Sequence, residues 1–222
     1  MQYQIDKEVL VYPEHPNFNL INHPLVKRDI TLLRDVSTDC ESFRAAVSRI
    51  SNILAVIISR NLPVEEIQVE SPLEKTTGCR LSQDVVVIPV LRAGLGMVKG
   101  FLQLIPDAKV GHIGLERDEE TLIPVEYYYK TPKNLINHEV ILLDPMLATG
   151  GSASAAITYL KKRESVNIIF ACLLAAPEGI KKLKEDHPQV KIFGAALDRE
   201  LNDKGYILPG LGDAGDRTFG TL

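Results

Sequence analysis

A chain of 222 residues with 25 basic and 29 acidic side chains carries a formal charge of −4, and 45% of it is hydrophobic. A chain of that length can bury roughly 70–75% of its unfolded surface without disulfide or metal staples. The acidic balance, with both signs interspersed, argues against a nucleic-acid surface, because phosphate contacts there demand a basic excess. A small anionic ligand needs only a local positive site and stays open.

Three cysteines, Cys40, Cys79 and Cys172, are odd in number and lack metal-ligand spacing, so reduced thiols are expected. The five histidines show no metal spacing either. The N-terminus MQYQIDKEVL has no basic stretch followed by an apolar one, and no apolar run approaches the roughly 20 residues of a membrane span. A cytoplasmic protein with no membrane contact is expected.

Residues 1–25, with Pro13, Pro16 and Pro24, read as an extended N-terminal arm. Thr38 with Glu41 three residues on predicts a capping box. Phe43, Val47, Ile50, Leu54 and Ile57 then mark one face of a helix ending near Asn61. Residues 64–82 are mixed, with turn signals at Ser71-Pro72 and Thr77-Gly78. From 85 onward short apolar runs alternate with helical patterns. Strands are predicted at 85–90, 110–115, 124–130, 139–144, 167–176 and 190–197. Helices are predicted at 93–105 (apolar face Leu95, Val98, Leu102, Ile105), 152–162 and 177–186. Strands that are apolar throughout are buried on both faces. The pattern predicts an α/β fold with a mainly parallel central sheet flanked by helices. Ligands in such sheets bind beyond the carboxyl ends of the strands, which singles out the turns at 89–96, 144–152 and 205–220.

In HEVILLDPMLATGGS (138–152), a strand ends on Asp144 and Thr149-Gly150-Gly151-Ser152 opens a helix. Glycine lets backbone approach a ligand, and the amides of a helix start bind anions. No lysine precedes Ser152, so this is not a Walker P-loop. An acid ahead of an amide cradle suits a sugar phosphate, the carboxylate taking ribose hydroxyls while the amides take the phosphate. A tight strand-to-helix turn capped by Ser152 reads equally well from composition.

DPMLATGGS (144–152) resembles the 5-phosphoribosyl 1-pyrophosphate (PRPP) loop of phosphoribosyltransferases. Most of that superfamily has two adjacent acids here, and Asp144-Pro145 resembles the uracil phosphoribosyltransferase branch. PVLRAGLGM (89–97) is similar to that branch's pyrophosphate turn, and GYILPGLGDAGDRTFGT (205–221) to its C-terminal uracil loop. AAPEG (175–179) and NHPLVK (22–27) also fit, so the resemblance runs from about residue 20 to the end.

The resemblance implies a type I phosphoribosyltransferase fold in a single domain over 1–222, with a protruding β-arm, an N-terminal extension and a base-binding region at 198–222. It implies transfer of the 5-phosphoribosyl group from PRPP to N1 of uracil, giving UMP and pyrophosphate, a pyrimidine salvage step. Arg92, Arg117 and Asp213 are implied as catalytic, the two arginines on the pyrophosphate. Arg117 would sit on a hairpin that closes over the substrate. Asp144, Pro145, Met146, Leu147, Ala148, Thr149, Gly150, Gly151 and Ser152 would join them in holding PRPP. Ile207, Gly212, Asp213 and Ala214 would read uracil through backbone groups. Mg2+ would be held mainly by PRPP, with Asp213 nearby. A homodimer or larger homo-oligomer is implied, with GTP open as an effector.

Two stretches depart from the family pattern. Val56-Ile57-Ile58 replaces Tyr-Glu-Ala, and Glu116 replaces a tyrosine before Arg117. The first reads as a repacked core or as an altered interface or effector site. The second predicts weaker PRPP binding. Two competing readings are a regulator on the same fold that senses nucleotides and binds nucleic acid, and a transferase for another base. The acidic balance disfavours the first and the LGDAGD tail the second.

Overall fold

The computed structural model describes residues 8–117 and 124–221, except the side chains of Arg117 and Pro124. In chain order the elements are β1 (Val9–Leu10), β2 (Phe18–Ile21), α1 (Pro24–Arg34), α2 (Cys40–Ser59), β3 (Val64–Glu70), β4 (Lys75–Leu81), β5 (Asp84–Leu91), α3 (Leu95–Leu104), β6 (Lys109–Val110) and β7 (His112–Arg117). There follow β8 (Pro124–Lys130), β9 (His138–Leu143), β10 (Met146–Leu147), α4 (Gly151–Lys162), β11 (Asn167–Ala175), α5 (Pro177–Asp186), β12 (Lys191–Leu197), β13 (Glu200–Leu201), β14 (Ile207–Leu208) and α6 (Ala214–Phe219).

The central sheet runs β1-β2-β12-β11-β9-β5-β7-β8. From β2 to β7 every neighbouring pair is parallel; β1 and β8 are antiparallel edges. This is the expected mainly parallel sheet, and its two cores explain the continuous apolar runs. Val85 and Val87 of β5 and Ile141 and Leu143 of β9 pack under α1, α2 and α3. Their alternates Val86, Ile88, Val140 and Leu142 pack under α4 and α5. Period-two alternation therefore carries no polar signature, because both faces are dry.

Of the extended arm expected over 1–25, residues 1–7 lie outside the described residues, and the rest is built into the fold. β2 lies in the sheet, with Phe18 paired to Ile192 and Leu20 to Gly194 of β12. A Cβ on Gly194 would lie 2.6 Å from the Phe18 ring, so this glycine makes room for it. α1 was not expected. His23 caps it, its Nδ1 accepting from Leu25 N, and Pro24 stands at the first position, where its missing N–H costs nothing.

α2 begins one residue later than the capping box predicts. Asp39 is the cap, accepting from Ser42 N at 2.8 Å, while Thr38 Oγ1 donates to Leu32 O. All five predicted face residues of α2 are buried. α2 is long and apolar enough by length and composition to cross a membrane, and half of that stretch is buried inside the protein. Its packing against α1 and α3 marks it as a core helix. Ile57 and Ile58 belong to that core, and Val56 faces outward.

The buried face of α3 is Met97, Gly100 and Phe101, continued by Ile105; Leu95 is exposed. Gly100 sets that register, since a Cβ there would lie 2.5 Å from Ser51 Cβ and 2.6 Å from Ser48 O of α2. A face built on a glycine contact is invisible to a hydrophobic count. Thr77-Gly78 is not a turn but lies within β4, which pairs with β3 around the predicted turn at Ser71-Pro72. The second hairpin, β7–β8, stands where the arm was predicted, with Arg117 opposite Pro124.

Candidate functional site

The parallel strands β5 and β9 end side by side, Pro89 opposite Leu143. Each runs into one of the predicted turns. The turn after β5 carries a cis peptide at Leu91–Arg92. Gly94 allows it to lie against the neighbouring strand: a Cβ there would come 2.4 Å from Leu143 O.

The chain after β9 is pinned along β11. Asp144 N donates to Ala171 O, Pro145 O accepts from Leu173 N and Leu174 N, and Leu147 O accepts from Ala176 N. Gly150, at φ +80°, caps α4 in the left-handed region. The first-turn amides of α4 have no intrahelical acceptors, and Gly151 N reaches only Thr149 Oγ1 at 3.4 Å. The Asp144 carboxyl accepts one bond, from Met146 N at 3.3 Å. Burial pushes its pKa up to about 7, with the Met146 N–H opposing. Beside it Cys172 is buried, and burial and the Asp144 charge push the thiol's pKa up. All three cysteines are free.

The third turn is held by two arginines. Arg34, the last residue of α1, donates to Gly210 O and to both oxygens of Asp198; Asp198 Oδ2 also accepts from Gly210 N at 2.9 Å. Arg217 donates to Leu33 O, Leu211 O and Asp35 O, and lies over the Phe43 ring, 4.5 Å from its centroid. Ile207, Leu211 and Ala214 are buried in the α1–α3 core. Gly210 and Gly212 have φ of +67° and +79° and the Leu208–Pro209 bond is cis. Asp213 caps α6, its Oδ1 accepting from Asp216 N.

The three turns enclose a cleft of about 390 Å³ lined by Ala93, Asp144, Met146, Ala148, the segment Lys204–Ile207 and the segment Gly212–Gly215. Four predicted base-site residues, Ile207, Gly212, Asp213 and Ala214, are on its wall with Asp144. Gly205 meets the loop between β9 and α4, the Thr149 methyl lying 3.5 Å from where its Cβ would be. Pro145 and Leu147 are buried beneath the loop. Thr149, Gly150, Gly151 and Ser152 continue from the wall into α4.

Arg92 is not on the wall; it donates to Asp216 Oδ1 at 3.2 Å and lies 3.5 Å from Thr221 Oγ1. Thr221 Oγ1 in turn donates to the same Asp216 oxygen at 2.6 Å. The Arg92 side chain is 58% exposed, so solvent screens this pair. Arg117 ends β7, and its side chain lies outside the described residues; Glu116 is exposed. Lys204, Tyr206, Asp216, Arg34, Asp198 and Arg217 were not foreseen. A cation followed by a turn could have flagged Arg34, but its partner lies 164 residues away.

A sequence model described as Uracil phosphoribosyltransferase matches residues 20–221. A uracil phosphoribosyltransferase of Finegoldia magna is 55% identical over 203 residues, covering 91% of this chain and 97% of its own. That of Salinibacter ruber is 53% identical over 205 residues, covering 92% and 98%. The solved structure of a protein from Aquifex aeolicus, 37% identical, matches with a TM-score of 0.86 over 91% of this chain and 97% of its own.

Proposed function

The chain belongs to the uracil phosphoribosyltransferase family, and we propose that two of its turns hold the sugar phosphate while the third reads the base. The reaction moves the 5-phosphoribosyl group from PRPP to N1 of uracil and yields UMP and pyrophosphate. The anomeric C–O bond breaks with its electron pair leaving on pyrophosphate. The new bond forms from N1 of uracil, whose proton passes to the released pyrophosphate or to water. The observation that carries the reading is the convergence of Asp144, Ala93 and the Ile207–Gly215 turn on one cleft.

The amides opening α4 take the 5′-phosphate, aided by about half a positive charge at the helix end. That phosphate is a spectator, so amides and the Thr149 and Ser152 hydroxyls serve without a lysine. Asp144 accepts from the ribose hydroxyls; its carboxyl has one protein donor and room for others. Negative charge grows on the departing pyrophosphate, and stabilising it there lowers the barrier. Arg92 lies in the turn after β5, and its guanidinium fork matches two phosphate oxygens. To reach them it releases Asp216. Arg117, at the end of the β7–β8 hairpin, supplies a second cation.

Uracil presents acceptor, donor and acceptor along O2, N3–H and O4. The backbone of the 207–214 turn offers the complement, and buried Ile207, Leu211 and Ala214 together with the arginine clamps hold the turn in place. A cytosine amino group would face a donor and leave it unpaired.

The acids present suit a magnesium ion carried in by the substrate diphosphate. Among the described residues no group of three or more His, Cys, Asp or Glu could hold one, and a diphosphate with one or two carboxylates is the usual seat. Asp213 Oδ2, which makes no hydrogen bond among the described residues, is the carboxylate oxygen available to it. Bound there, Mg2+ would neutralise charge on the diphosphate.

A homo-oligomer is supported by the β3–β4 hairpin. It forms its own two-stranded sheet, with Val64 62%, Val69 39% and Leu73 95% exposed, as an arm that packs on a second copy would be.

Kinetics of Arg92→Ala test the division of labour. The substitution should cut kcat/KM for PRPP by roughly 100-fold or more, in the range seen when one group stabilising transition-state charge is removed. Wild-type kinetics would contradict it.

A further inference from the structure

We propose that His187 is a positioning residue for the sugar-phosphate loop, joining α5 to α4 so that α5 acts as a splint beneath that loop. The proposal rests on residues 144–152 being the phosphate cradle. α5 meets the loop first at Gly179, where a Cβ would lie 2.4 Å from Ala148 O and 2.8 Å from Leu147 O. One turn on, the Lys182 stem lies against Gly150: a Cβ on Gly150 would come 3.0 Å from Lys182 Cβ. At its far end α5 presents Asp186, whose Oδ2 accepts from Ser154 Oγ at 2.5 Å.

His187 follows and completes the joint. It is 6% exposed. Its Nε2 lies 3.0 Å from Ser154 O, 3.3 Å from Ser154 Oγ and 3.3 Å from Thr158 Oγ1. Its Nδ1 lies 3.1 Å from Lys161 Nζ. The ring thus grips successive turns of α4, whose first turn closes with Ser154 N on Gly150 O at 2.9 Å. Gly150 joins the phosphate loop to α4 as the helix cap, so the grip is transmitted to the amides that face the ligand.

The partners fix the protonation state. A charged lysine only donates, so Nδ1 accepts and Nε2–H donates to Ser154 O. The ring is therefore neutral. The groups facing it are Lys161 of α4 and Lys182 and Asp186 of α5. Burial first, then Lys161 and Lys182, hold its pKa below the ordinary histidine value, against the raising effects of Ser154 O and Asp186. Protonation would turn Nδ1 into a donor aimed at Lys161 and loosen the joint. The sign is that of a histidine stabilised neutral: the contribution is present above the unfolded value and is lost as pH falls from there through the lower folded value.

Steady-state kinetics of the full-length enzyme carrying His187→Ala or His187→Gln, across acid to neutral pH, test this. His187→Ala should raise KM for PRPP roughly tenfold, about 1.4 kcal/mol, as expected for a displaced loop, with KM for uracil little changed. Glutamine can donate to Ser154 O and accept from Lys161, so His187→Gln should recover most of the affinity. Wild type should lose PRPP affinity on the acid side of the histidine range, below the Asp144 step near pH 7, and His187→Gln should keep the Asp144 step and lack the lower one. Unchanged PRPP KM in His187→Ala, or equal rises for both substrates, would overturn the proposal. If the alanine variant does not fold, a His187→Gln profile that still matches wild type below the Asp144 step near pH 7 overturns it. If Gly179→Ala weakens PRPP binding while both His187 variants are silent, only this proposal fails; if all are silent, the cradle reading fails with it.

Discussion

Gly179→Ala places a methyl group where the phosphate loop already lies. The built Cβ is 2.4 Å from Ala148 O and 2.8 Å from Leu147 O, at least 0.6 Å short of the 3.4 Å at which ordinary contact begins and about 1 Å short for Ala148. Both obstacles are backbone, so neither can rotate away. Leu147 is further held by its carbonyl bond from Ala176 N, which leaves Ala148 and the residues after it to move. Overpacking of this kind costs about 1–3 kcal/mol of stability. A loop displaced by about 1 Å costs on the order of 100-fold in rate when it positions a reactant. The predicted result is a moderate fall in denaturation midpoint with a fall in kcat/KM for PRPP of that order and little change in KM for uracil. The assay is UMP formation with each substrate varied in turn. Wild-type PRPP kinetics in a folded Gly179→Ala protein would refute the argument that α5 fixes the loop.

Three other outcomes follow from the same geometry. Asp144, with its pKa pushed up to about 7 by burial, binds a proton in the native state that it has lost when unfolded, so ionising it weakens the fold as pH rises from about 4 through about 7. Asp144→Asn should therefore gain on wild type in thermal stability as pH rises, and the rise in PRPP affinity through about pH 7 that ionisation gives wild type should vanish; parallel pH profiles would contradict this. Asp216→Asn frees Arg92 from an exposed pair worth about 0–1 kcal/mol, so isothermal titration should show PRPP binding up to about fivefold tighter, and weaker binding would show that Asp216 assists the ligand. Cytosine should be used roughly 10- to 100-fold less efficiently than uracil, because one buried donor stays unpaired at about 1–3 kcal/mol, and equal turnover would sink the backbone readout.

The interior strands and both phosphate-side helices were legible because their boundaries coincide with changes in local chemistry: apolar runs for β5, β9 and β11, Pro177 for α5, Gly150-Gly151 for α4. What was not legible depends on distant partners. α1 lacks a long apolar stripe, and its importance appears only where Arg34 and the carbonyls of Leu33 and Asp35 meet the tail. β2 is a short segment whose place in the sheet is set by Gly194, far along the chain. The α3 face was misread because Gly100, not a large side chain, makes its closest contact with α2. At the site, Asp144 and the 207–214 residues converge as their motifs imply. Arg92 does not, because the same tail that carries the base loop also carries Asp216, and in the free protein opposite charges pair.

One cleft brings PRPP and uracil together. Release of pyrophosphate from PRPP, followed with uracil, hypoxanthine, orotate or no base, tests it most directly. Pyrophosphate should be released with uracil, matched mole for mole by UMP, and little with the others. Release with hypoxanthine or orotate but not uracil, or no base-dependent release at all, would contradict it.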